Sequence, residues 1–250
     1  MRSRTLRLAG GFLALSLVGA ACGSDSASSN GLTVFAASSL TDAFTELGDA
    51  FMQVRPDAEV TFSFASSSDL ARQVIEGAPG DVFASADLAN MTKVTDAEAV
   101  SGAPMVFATN RAEIVVAPGN PLGITGVADL ATRDLVVVVC APEVPCGTYA
   151  AEIFDRAGVA VTPDSLENNV KAVLTKVTLG EADAGVVYVT DVQAAGDAVS
   201  GVEIPTDGNV VADYPIVAVS DDPLARTFID FVTSAAGQDI LASSGFGPPR

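Results

Sequence analysis

From Leu32 onward the chain alternates short β-branched runs with windows in which apolar residues recur every three or four positions, the pattern of an α/β fold. Strands are predicted at Leu32–Ala36, Glu59–Ala65, Val82–Ala84, Ala112–Ala117, Leu135–Cys140, Ala184–Val189 and Ile216–Val219. The clearest helix, Leu40–Val54, places Leu40, Ala43, Phe44, Leu47 and Phe51 on one face, and Pro56 stops it. A second, Asn168–Leu179, carries Val170, Val173, Leu174 and Val177 on one stripe, and a third covers Pro223–Ser234. No internal repeat is visible. The chain is expected to leave a first lobe near Thr109–Arg111 and return to it near Asp213–Pro215. That division gives residues 31–109 plus 215–250 as one lobe, residues 110–214 as the other, and two crossovers as a hinge.

The N-terminus follows a different pattern. Arg2, Arg4 and Arg7 precede an apolar run from Leu8 to Val18, then the small residues Gly19, Ala20 and Ala21 lead to Cys22. This is a signal-peptide layout, its apolar run too short for a comfortable permanent span. The stretch LVGAAC resembles a lipoprotein lipobox, with Gly19 where a larger aliphatic is more usual. Residues 1–21 are thus expected to be removed, Cys22 to be acylated, and residues 22–30 (CGSDSASSN) to form a flexible tether. A cleaved, unanchored secreted protein with an incidental cysteine is the alternative.

Composition narrows the function. Apolar residues make up 49% of the 250 and charged residues 18%, as in an ordinary globular protein with a sizeable core. Removing residues 1–21 takes away three arginines and no acids, so the formal charge moves from −18 to −21. Such a surface repels nucleic acid and anionic lipid headgroups. Histidine is absent, which excludes Ser-His-Asp and Cys-His nucleophiles and the common histidine metal sites. Cys140 and Cys146 are expected to form a disulfide in an exported chain; zinc is a poor alternative, because two thiolates fall short of four ligands.

Four loops share one arrangement, in which a strand ends, small or hydroxyl residues follow and a helix begins. They contain Ser38 and Ser39; Ser66, Ser67 and Ser68; Cys146-Gly147-Thr148; and Asn169-Val170. Helix N-termini expose unpaired N–H groups and a partial positive charge, so several converging ends hold an anion without any lysine or arginine. Each serine taken alone is equally an N-cap. Four such loops, and a triple serine where a cap needs one, favour a ligand site. Tyr188, ending an apolar strand, can add a phenolic donor, or be a core tyrosine with a wet tip.

At these residues the chain resembles the molybdate-binding proteins of ABC transporters, a two-lobed periplasmic-binding-protein type II fold with its ligand in the cleft. FAASSLTDAF, SFASSSDLARQVIEGAPGDVFASAD, APEVPCGTYA and GVVY carry the resemblance in order and spacing. It implies that the hydroxyls of Ser39 and Ser67, the backbone amides of Cys146 and Val170, and the Tyr188 phenol hold the anion. Two positions depart from the family pattern: Cys146 stands where a small residue such as alanine is usual, and Asn169 where an acidic residue is common. The implied protein binds molybdate, and tungstate with it. It needs no cofactor or directly ligated metal ion, catalyses nothing, and acts as a lipid-anchored extracytoplasmic monomer that delivers to a membrane ABC permease. The rivals are a receptor of this fold for sulfate, phosphate or ferric ion, a secreted enzyme using Asp42 or Asp69, and a lipoprotein making only protein contacts. The tyrosines Tyr149, Tyr188 and Tyr214 lie in unlike sequence contexts, which speaks against a clustered ferric site.

Overall fold

All seven predicted strands are present, with two short ones added to them. The structure, a computed structural model, describes residues 30–132 and 134–250. The expected signal peptide, Cys22 and the tether up to residue 29 lie outside the described residues. In order, the elements are β1 (Gly31–Ala37), a 3-10 turn at Ser38–Leu40, α1 (Thr41–Val54), β2 (Glu59–Ala65), α2 (Ser67–Ile75), β3 (Val82–Ala84), α3 (Leu88–Asp96) and β4 (Met105–Val116). After a 3-10 turn at Val127–Ala131 come β5 (Val137–Cys140), α4 (Pro145–Ala157), β6 (Ser165–Glu167), α5 (Val170–Thr178), β7 (Ala184–Tyr188) and α6 (Val189–Ala195). The chain ends with β8 (Ser200–Glu203), β9 (Val211–Ala218), α7 (Pro223–Thr233) and α8 (Ala235–Ser243).

The strands hydrogen-bond in the order β2-β1-β3-β9-β4-β7-β5-β6, with β8 also on β4. Strand β1 lies parallel between β2 and β3, and β5 lies parallel between β6 and β7, each crossover being made by a helix. The two parallel groups are joined by the antiparallel pair β4 and β9. Strand β4 belongs to both groups: Met105–Arg111 pairs with β9, and Ala112–Val116 pairs with β7 and β8. Its length exceeds the predicted Ala112–Ala117 because the polar stretch Thr109–Arg111 stays in the ladder. Thr109 and Asn110 are buried there, and their side chains bond Pro248 O (3.0 Å) and Thr190 Oγ1 (2.8 Å).

Each group has its own apolar packing. One cluster joins Leu70, Val74, Phe83, Met91 and Val94, and another joins Ile114, Val137, Ile153 and Val186. A third cluster runs through both groups, from Phe44 and Phe107 on one side to Val138, Val173 and Tyr188 on the other. Within it the edge-on pairs Phe44–Phe228 (6.2 Å) and Phe51–Phe228 (5.3 Å) fix α7 against α1. Among the described residues no helix is long and apolar enough to cross a membrane.

Candidate functional site

Helices α2, α4 and α5, and the turn before α1, are among those that start at the carboxyl ends of the parallel strands. In open α/β sheets this is the end where ligands gather. Capping determines which donors are left over. Ser66, in extended backbone, accepts from Asp69 N (3.1 Å) and so caps α2. Ser67 is thereby spared that task; its Oγ accepts from Ala86 N (2.9 Å), which leaves its own proton unspent. Asn169 caps α5 by accepting from Ala172 N (3.0 Å), leaving the first-turn amide of Val170 without an intrahelical partner. Pro145 opens α4 and has no N–H, so Cys146 carries that helix's first amide. Ser39 Oγ lies 2.9 Å from Tyr214 Oη, and when the phenol donates, the serine proton is free.

Ser39, Ser67, Cys146, Val170 and Tyr188 all line one cavity of about 190 Å³ of empty space. No charged side chain lines it. A wider concavity on the surface, lined by Arg55, Asp57, Asp222 and Thr227, carries two carboxylates in its wall. Across the small cavity, Cys146 is disulfide-bonded to Cys140 (Cα–Cα 5.6 Å), tying the α4 start to the end of β5.

Tyr188 is buried, and its hydroxyl has no hydrogen-bond partner. Burial, with smaller contributions from Tyr214, Tyr149 and nearby carboxylates, holds the phenol well above its ordinary pKa. It is therefore a neutral donor. A buried polar atom left unpaired costs about 1–3 kcal/mol, and this one faces the same space as the two serines. The three tyrosines, in unlike contexts along the sequence, are neighbours in space: the Tyr188 ring lies 6.4 Å from Tyr149 and 6.1 Å from Tyr214. That corrects the sequence argument about them without making a ferric site. Tyr149 Oη donates to Ala86 O (3.4 Å) and Tyr214 pairs with Ser39, and among the described residues no group of three His, Cys, Asp or Glu side chains stands ready to hold a metal ion.

The carboxylates of the enzyme reading do not reach the cavity. Asp69 is held by Arg72 (3.0 Å), and Asp42 by Lys171 (2.6 Å). A third carboxylate matters more, and nothing in the sequence drew attention to it. Asp191 is buried, and its Oδ2 accepts from Tyr188 N (3.1 Å) while Oδ1 stands 3.3 Å from Lys171 Nζ. Burial pushes its pKa up to about 6, outweighing the attraction of Lys171, whose charge is shared with Asp42. Lys171 itself is lowered by burial but held above its ordinary value by the two carboxylates.

A raised folded-state pKa means that Asp191 contributes stability fully present below about pH 4 and lost as the pH rises through 6. Asp191→Asn keeps an acceptor for Tyr188 N–H and removes the titration. The stability of the wild type relative to this variant is expected to fall by at most about 3 kcal/mol between pH 4 and pH 7, by denaturant unfolding at each pH. A pH-independent difference would show that Asp191 remains ionised throughout.

Two α/β groups joined by a strand pair, with a cavity of neutral donors where their helices begin, define a binding protein for a small anion. The chain belongs to the family described as bacterial extracellular solute-binding proteins, whose profile matches residues 32–247. It is 45% identical over 241 residues, 92% of each chain, to the molybdate-binding protein ModA of Mycobacterium tuberculosis (strain ATCC 25618 / H37Rv). Among solved structures, the periplasmic molybdate-binding protein of Azotobacter vinelandii superposes with a TM-score of 0.75 at 20% identity, covering 88% of this chain and all of that one. The sulfate-binding protein SubI of Mycobacterium tuberculosis H37Rv gives 0.76 at 19% identity, over 87% and 86% of the two chains. At such identities the structures share the fold, and the ligand has to be argued from the site.

Proposed function

We propose that the protein captures molybdate, and tungstate with it, and delivers the anion to a membrane ABC permease. The observation that carries this reading is the unpartnered, buried Tyr188 hydroxyl on a cavity otherwise supplied with donors. In this reading the hydroxyls of Ser39, Ser67 and Tyr188 and the amides of Cys146 and Val170 surround a tetrahedral anion. The helix starts supply positive potential that the acidic chain lacks elsewhere. A donor-only shell suits a fully deprotonated oxyanion; a protonated phosphate brings a hydrogen that needs an acceptor. Cavity size then separates molybdate and tungstate from the smaller sulfate. The relatives at 45% identity, named for molybdate binding, support the same ligand.

Capture works by closure. Residues 31–109 plus 215–250 and residues 110–214 act as two lobes hinged on β4 and β9, each bringing part of the shell. The lobe containing Ser39 and Ser67 meets the one containing Cys146, Val170 and Tyr188. Nothing is transformed, and no cofactor is required. Acylated Cys22 anchors the protein outside the membrane, where it meets the permease as a monomer.

Thermal unfolding with molybdate, tungstate, sulfate and phosphate in turn tests the ligand. A ligand that binds only the folded state adds about 4 kcal/mol of stability at a thousandfold excess over its Kd. Molybdate and tungstate should raise Tm, and sulfate and phosphate should leave it unchanged. A shift with sulfate alone would keep the receptor and discard the ligand; no shift with any anion in ligand-free protein would discard both.

A further inference from the structure

We propose that Lys171 is a positioning residue that tethers the two lobes across the closed cleft and sets how slowly the ligand leaves. The proposal rests on the binding reading above. The Lys171 ammonium touches two carboxylates on different parts of the fold: Asp42 in the first turn of α1 (2.6 Å) and the buried Asp191 in the first turn of α6 (3.3 Å). Each of these three residues follows a proposed ligand donor closely. Asp42 is three residues beyond Ser39, Asp191 is three beyond Tyr188, and Lys171 directly follows Val170. One cation therefore ties together the elements that carry three of the five donors.

The two contacts differ in kind. Lys171 and Asp191 both lie within residues 110–214, so their pair stays intact however the lobes move. Asp42 belongs to the other lobe, and its pair with Lys171 breaks when the lobes part. Two other polar bridges between the lobes, from Tyr149 Oη to Ala86 O (3.4 Å) and from Gln193 Nε2 to Ser243 O (2.6 Å), involve a neutral donor and a neutral acceptor, and the charged Arg250–Asp213 pair (2.7 Å) sits on the hinge strand β9 itself rather than across the cleft. The Lys171–Asp42 pair is thus a charged link made by closure. Lys171 is largely shielded from water while Asp42 is more than half exposed, so the link is strong enough to slow opening and weak enough to be reversed.

Rapid-mixing kinetics with molybdate on wild type, Asp42→Asn, Lys171→Met and the double variant test the tether. Asp42→Asn leaves the pair inside one lobe intact and serves as the variant that is safe for folding. It should raise the dissociation rate about two- to fivefold and leave the association rate unchanged, and the wild type's dissociation should quicken with added salt while the variant's does not. Lys171→Met should raise the dissociation rate at least as much, and adding Asp42→Asn to it should change nothing further. Small-angle scattering of the ligand-free proteins should show a larger radius of gyration in both single variants. A wild-type dissociation rate in Asp42→Asn, or a loss confined to association, would overturn the tether. If the wild type itself bound no oxyanion, the binding reading would fall, and an unchanged radius of gyration in Asp42→Asn would then remove the tether as well.

Discussion

Removing the hydroxyl of Ser39 or of Ser67 should weaken molybdate binding by about 1–3 kcal/mol, a loss of roughly 5- to 150-fold in affinity. The size follows from how each hydroxyl is used. Ser67 Oγ already accepts from Ala86 N, and Ser39 Oγ is bonded to Tyr214, so each orients its remaining proton without the freedom of a surface serine. The ligand then meets donors that are already aimed, and alanine leaves both the ligand oxygen and the inner partner unpaired. Ser67→Ala should cost folding stability as well, because the Ala86 amide is buried and has no substitute. The two sites share one ligand, so the double variant need not lose the sum of the two effects. Titration calorimetry measures affinity and denaturant unfolding measures stability; wild-type affinity in both single variants would show that the anion binds elsewhere.

A larger effect on the fold is expected at Gly147. A methyl group there would overlap the carbonyl oxygen of Ala141 and approach that of Cys140 to 2.6 Å. Neither oxygen can retreat. Ala141 N is bonded to Glu167 O (2.7 Å), and Cys140 sits in β5 with its sulfur bonded to Cys146. Gly147→Ala should therefore cost about 3 kcal/mol, the upper part of the range for overpacking, and displace the Cys146 amide from the cavity. Thermal unfolding and anion binding should fall together. A variant with wild-type Tm would show slack in the loop.

The proposed donors were legible because they sit at strand-to-helix turns, where small and hydroxyl residues stand out. What held them in place was not. Lys171 reads in sequence as a polar position beside the apolar stripe of a helix, and only the approach of α1 gives it Asp42 as a partner. Tyr214 adjoins Pro215, and proline argues against a central strand, so the prediction began at Ile216. Strand β9 nevertheless runs from Val211, with Pro215 opposite a register shift at Val106–Ala108 and its carbonyl accepting from Ser85 N (2.9 Å). Helices α3, α6 and α8 were not predicted. Helix α3 is short and only half apolar, and its start is marked by Asp87, which accepts from Asn90 N (2.9 Å). Such short elements carry too few apolar positions to stand out, whereas α1 places Ala43, Phe44, Leu47 and Phe51 on one face.

The same topology orders events in time. Phe228 of α7 lies against Phe44 and Phe51 of α1, Phe246 lies against Tyr214, and Gly247 pairs with Thr109 in β4. The half of the molecule begun by β1 thus lacks part of its interior until residues 223–250 have been synthesised. While the ribosome is still at work, the N-terminal segment has nothing to close upon, and contacts spanning most of the chain form last. Until then the apolar faces of Phe44 and Phe51 lack the partner that Phe228 provides, and the first half of the chain stays open.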